Sequence, residues 1–183
     1  ADDYQGSVSL NHSLVAPAAA NLGSLSVTAI TINSANNGER EISNQAISEV
    51  GVFNLTATPN SYYGETIAAS TLSNVGRFYP ASFSLTSSSL ANSCAPANGD
   101  FSYMNQLGIG VSYDLEARNA AGVKTLNYRG GFAKATMSIV AENNNEGTDF
   151  SARLSGFGST NWGNGDYIYS DTGSFNRLAS GTP

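Results

Sequence analysis

The chain has 183 residues, of which 40% are hydrophobic, 10% aromatic and 12% charged, and its 8 basic and 14 acidic side chains leave a net charge of -6. Soluble domains carry about 25% charged residues. Here Ser, Thr, Asn and 19 Gly supply the polarity instead, a composition that suits short strands, many turns and an exported surface protein. Eight thinly spread cations cannot neutralise a row of phosphates, which excludes nucleic acid as a partner, and no apolar run approaches the roughly 20 residues of a spanning helix, so no membrane insertion is expected.

The start, ADDYQGSVSL, lacks the basic opening and apolar stretch of a signal peptide. With the flexible close NRLASGTP, the chain is expected to be a piece of a longer exported protein. Strand signals follow one another: SLSVTAITI (24–32) alternates with period two, and AISEVGVFNLTATP (46–59), ETIAAST (65–71) and RFYPASFSLT (77–86) continue the series. LGIGVSYDLEARN (107–119), ATMSIVAE (135–142), FSARLSGF (150–157) and DYIYS (166–170) complete it. Between them ANNGE, NAAGV, NNNEG and WGNGD place Asn and Gly where a positive φ costs little. Only APAAANLG (16–23) and STLSN (70–74) suit a helical turn. The expectation is an all-β fold of antiparallel sandwich type, immunoglobulin-like or jelly-roll-like. The Gly and Pro of SNVGRFYP suggest two β subdomains, 1–75 and 76–183.

Reactive residues are few. A Ser/His/Asp triad has His12 as its sole base and no Gly-x-Ser-x-Gly turn to present a nucleophile. One His and one Cys cannot hold zinc. Asp114 and Glu116 share a strand face, where acids are ordinarily solvated or paired, here with Arg118, so a glycan-directed hydrolase ranks last among the readings. No cofactor is expected apart from calcium, for which Glu142, Asn144, Glu146 and Asp149 form an oxygen-rich turn. A carbohydrate would use the ring of Trp162 with the polar groups of Asn164, Asp166, Tyr167 and Tyr169, set against the plain reading of Trp162 as a hairpin core residue. Two crosslinks are conceivable. Lys134 could form an isopeptide with an acid on a neighbouring strand, and Cys94, which has no other Cys in the chain, could meet Gln45 or Gln106 in a thioester.

Three stretches stand in order at short intervals: VGRFYPASFSL (75–85), CAPANGDFSYMNQ (94–106) and EARNAAGVKTLNYRGGFAK (116–134). Together they resemble the MshQ family, named for biogenesis of the mannose-sensitive haemagglutinin pilus, a type IV pilus of Gram-negative bacteria. The family pattern opens on a strand carried here by Gly76, Arg77, Phe78, Pro80 and Phe83. It continues through Cys94, Phe101, Tyr103, Met104 and Gln106, and closes on Asn119, Gly122, Asn127, Tyr128, Gly130, Phe132 and Lys134. The resemblance covers about residues 46–183 and weakens after 142. It implies a non-catalytic structural or adhesive module of an exported, pilus-associated or cell-surface protein, with pilus components and glycans as partners. The family has no established catalytic or ligand residues, so the resemblance assigns none. The alternative function is a carbohydrate-binding module centred on the 162–169 loop.

Overall fold

A computed structural model of the chain describes residues 4–94, 101–143 and 147–178. The first sheet is built from β1 (Gly6–Ala16), β2 (Ala29–Ile32), β3 (Gly51–Pro59) and β4 (Ser70–Phe78), in the order β2-β1-β3-β4. The second is built from β5 (Ser82–Ala91), β6 (Ile109–Arg118), β7 (Leu154–Ser155) and β8 (Asp166–Phe175), in the order β5-β6-β8-β7. Every strand pair is antiparallel, and the described residues contain only short 3-10 turns besides. The all-β, two-sheet expectation therefore holds. The expected division at 75/76 falls inside β4, and the chain passes from one sheet to the other at residues 79–81.

Burial in β1 alternates around Val8, Leu10, His12 and Leu14, the period a one-sided strand needs. Thr56 opposite Thr71 and Leu55 opposite Leu72 draw 70–74 into β4, although its local composition suits a helical turn. Cross-strand partners outweighed propensity there, and the Thr56 and Thr71 hydroxyls bond at 2.9 Å. Upstream, residues 24–28 of the expected 24–32 strand have the Leu25–Ile47 bridge and a bond from the Leu10 N–H to the Thr28 carbonyl at 2.7 Å but no ladder among the described residues, so β2 is short. Tyr4, Val8 and Ile32 form the first core, with Leu10, Ile30, Ala57, Tyr62 and Ile67 against it. Where β3 begins, Gly51 has φ +156°, and a Cβ there would stand 2.7 Å from the Ala16 carbonyl oxygen. Glycine is what lets the strands approach at that point.

In the second sheet the directly opposed pairs Phe83–Ala117, Leu85–Leu115, Tyr113–Tyr169 and Leu115–Tyr167 share one face. On the other face lie Asp114, bonded to Ser87 at 2.8 Å, and Glu116, paired with Arg118 at 2.7 Å. The apolar face is covered by Tyr128, Trp162 and an extended segment whose Ala133, Ala135, Met137 and Ile139 pack on it. That segment was expected as a strand over 135–142. It keeps the alternating burial of one, yet from 133 to 140 it joins no ladder among the described residues.

The two sheets are joined by a buried polar tie. Glu49, 6% exposed, accepts N–H bonds from Val50 (2.9 Å), Leu126 (2.9 Å) and Asn127 (3.1 Å). Asn127, 1% exposed, donates through Nδ2 to the carbonyls of Asn21 (2.7 Å) and Val50 (2.9 Å), and accepts from the Asn21 N–H at 2.8 Å. Asn119 Nδ2 adds a bond to the Ser48 carbonyl at 2.9 Å, and the Arg77 guanidinium lies 4.6 Å over the Phe132 ring. Val50 itself belongs to the core of the second sheet.

Candidate functional site

The aromatic cover of the second sheet holds most of the residues that the sequence marks for ligand chemistry. Trp162 is 7% exposed, with its ring centroid 5.0 Å from Phe83, 4.9 Å from Tyr128 and 5.4 Å from Tyr167, and its Nε1 donates to the Ala135 carbonyl at 3.1 Å. Rings packed on several sides are core, and Tyr167 (2%) and Tyr169 (3%) are turned inward as well. Trp162 packs at a tilt on Tyr167, and Tyr113 stacks on both Tyr167 and Tyr169, so these rings are buried within the cluster rather than displayed to a sugar. The polar members of the set are engaged too: Asp166 holds Lys124 through both carboxylate oxygens at 2.9 Å, and Asn164 accepts from Arg129 at 2.7 Å. Gly165 permits this turn, with φ +83° and a position at which a Cβ would collide with the Thr125 carbonyl oxygen.

Beside the cluster runs a groove of about 370 Å³, walled by residues 133–137 on one side and 159–162 on the other. Trp162 and Tyr167 border it, and Ser159, Thr160, Asn161 and Lys134 supply its polar groups. The neighbouring tyrosines feel their burial. The Tyr113 phenol is pushed up to about 12, first by desolvation and then by Tyr167 and Tyr169 beside it. Tyr169 is raised by burial and by the Asp171 carboxylate, while the Gly158 and Thr172 N–H groups hold Asp171 below the usual carboxylate range. The phenols thus stay neutral and contribute packing rather than proton transfer at ordinary pH.

Among the described residues the buried Tyr169 hydroxyl has no well-formed hydrogen bond, the Asp171 carboxylate being the polar group beside it, whereas the Tyr128 hydroxyl accepts from the N–H groups of Lys134 (3.2 Å) and Ala135 (2.9 Å). This contrast sets an expected outcome. Tyr169→Phe leaves stability unchanged or raises it by up to about 1 kcal/mol, while Tyr128→Phe lowers it by about 1–2 kcal/mol. Urea unfolding of the two variants checks the difference, and an equal loss in both would show the hydroxyls to be equivalent.

Glu142 and Asp149 face each other across a hairpin bridge, and Asp149 Oδ1 accepts from the Ser151 N–H at 2.8 Å. Asn144 and Glu146, the other expected calcium ligands, lie outside the described residues. Among the described residues no three His, Cys, Asp or Glu side chains come together as a metal site. Lys134 does not meet the acids proposed for it: Asp114 and Glu116 lie on the polar face of β6, and the segment carrying Lys134 lies over the apolar face. Cys94 does meet one of its two candidates. Its Sγ donates to Gln106 Oε1 at 3.3 Å, and the same oxygen accepts from the Tyr103 N–H at 2.9 Å. Gln45 is occupied elsewhere with Ser26 and Val27. The His12 ring nitrogen bonds the Leu22 carbonyl at 3.0 Å, and no acid approaches it within the described contacts.

The buried Glu49 was not singled out by sequence reasoning. Its only signal was an acid placed between the apolar residues of AISEVGVF, where a charge must find donors. Residues 49–183 match the third domain of the DUF6701 family, so the match opens on that glutamate. The chain belongs to the DUF6701 family. No curated protein and no solved structure matches it. In this DUF6701 chain β1 and β2 precede the matched span, yet β1 pairs with β3 inside it along most of its length.

Proposed function

We propose that this DUF6701 chain is a non-catalytic structural module of an exported surface protein, of the MshQ-like kind that serves type IV pilus biogenesis or attachment in Gram-negative bacteria. One observation carries the reading. Four residues with chemical potential are committed to holding the fold: Glu49 to backbone amides, Asp166 to Lys124, Glu116 to Arg118 and Trp162 to its aromatic neighbours. The exposed strand β5 is rich in serine and carries no charge. Such a surface suits passive presentation of a rigid body outside the cell. The MshQ-like motifs, from Gly76 to Lys134, support the pilus connection.

In-frame deletion of residues 49–183 is expected to reduce surface pili or attachment several-fold in the parent bacterium, read by electron microscopy and adhesion counts. Normal piliation and normal attachment together would overturn the proposal. A second reading, a glycan module, rests on the groove beside Trp162, whose Ser159, Thr160 and Asn161 offer hydroxyl and amide partners without ring stacking. A glycan-array screen with Asn161→Ala as the control separates the two, because saturable binding lost in that variant would favour the glycan reading.

A further inference from the structure

Residues 133–142 alternate in burial as a strand does, and from 133 to 140 they have no ladder partner among the described residues. Ala133, Ala135, Met137, Ile139 and Ala141 are turned inward, and Lys134, Thr136, Ser138, Val140 and Glu142 are exposed. From Ala135 onward, every main-chain hydrogen bond of this segment comes from an odd-numbered residue. The Ala135 N–H donates to the Tyr128 hydroxyl and its carbonyl accepts from Trp162. The Ala141 N–H donates to Ser151 Oγ at 3.1 Å and its carbonyl accepts from the Phe150 N–H at 2.7 Å. The Asn143 N–H donates to the Thr148 carbonyl at 2.9 Å.

In an extended chain the N–H and C=O of one residue point to the same side, and successive residues alternate sides. Thr136, Ser138, Val140 and Glu142 therefore direct their groups to the opposite edge, where none of them has a hydrogen bond among the described residues. Such an edge is normally blunted by a charge or a proline along its length. Here Ala135–Ala141 carries neither, and the charges sit at its two ends as Lys134 and Glu142, neither in an ion pair among the described residues.

We propose that a second copy of this chain pairs antiparallel along this edge, about a two-fold axis passing through Ser138. In that register Thr136 faces Val140 of the second copy and Ser138 faces its counterpart. Lys134 of each copy faces Glu142 of the other. An odd-residue slip would set inward residues against outward ones, so the side-chain period fixes the parity of the register. The end charges select this one, because only here are both placed opposite an unlike charge. The self-complementarity is that of an isologous two-fold interface, and it supplies about six main-chain hydrogen bonds from the three central residues of each copy.

Sedimentation velocity of the 183-residue chain over a concentration series tests the proposal, with circular dichroism as the check on folding. The wild-type chain shifts from one to two copies as concentration rises. Lys134→Glu and Glu142→Lys each raise the midpoint concentration at least about tenfold, because each replaces two attractive pairs by two repulsive ones. Mixing the two single variants restores a dimer, as does combining both changes in one chain. Hydrogen exchange at the Thr136, Ser138 and Val140 amides slows with concentration in the wild type, in the mixture and in the doubly reversed chain, and does not in either single variant alone. A wild-type chain that stays monomeric overturns the proposal, and so does a dimer indifferent to these charge reversals.

Discussion

Replacing Glu49 by alanine is expected to lower stability by about 3–5 kcal/mol. The carboxylate is nearly out of contact with solvent and accepts the N–H groups of Val50, Leu126 and Asn127. Removing it strands those donors in a site that water does not reach, and the full desolvation penalty of each then counts against the fold. Glu49→Gln keeps one carbonyl acceptor but turns an amide NH2 toward a donor, so an intermediate loss is expected. Trp162, the chain's one tryptophan, reports the transition by its fluorescence. A fall in midpoint of roughly 10 °C is the thermal equivalent for a chain of this size. An alanine variant that melts with the wild type would show the tie to be ornamental.

Trp162→Ala is expected to cost about 3–5 kcal/mol as well, through a different cause. The indole fills the space between Phe83, Tyr128 and Tyr167, and its Nε1 fixes the Ala135 carbonyl. Truncation opens a cavity under the extended cover and releases the segment that begins at residue 133. Trp162→Phe retains most of the packing and loses the hydrogen bond, for a cost of about 1–2 kcal/mol. Urea midpoints followed by far-ultraviolet circular dichroism rank the two. If alanine proved as mild as phenylalanine, the ring would be a surface group and the glycan reading would regain its anchor.

Strand identity was legible in the second sheet, where a period-two pattern met a cross-strand partner. LGIGVSYDLEARN and DYIYS became β6 and β8 because Tyr113, Leu115, Tyr167 and Tyr169 meet across one face. The same pattern in ATMSIVAE fixed side-chain direction but not pairing, since a sequence shows which face is apolar and not whether a neighbour is present. In β1 the alternation through Val8, Leu10, His12 and Leu14 is as regular as any, yet it was not picked out from a start lacking other signals. The site was less legible. Aromatic residues beside Asn and Asp read alike for a sugar platform and a hairpin core, and only the inward turn of Trp162, Tyr167 and Tyr169 separates the two. The partners of Glu49 are backbone amides, which leave no mark in side-chain composition.

The paired bonds between Asn21 and Asn127 reach across 106 positions of the chain. A ribosome adding about 5–20 residues per second needs roughly 5–20 s to bring the second asparagine after the first. Through that interval the backbone at Asn21 has no companion, and the two sheets cannot lock. Closing so long a loop before its contacts repay the entropy places the folding time toward the milliseconds-to-seconds range of strand-rich domains. On the proposed reading of an exported protein, a nascent chain that lingers open in this way is one that a secretion channel can still thread.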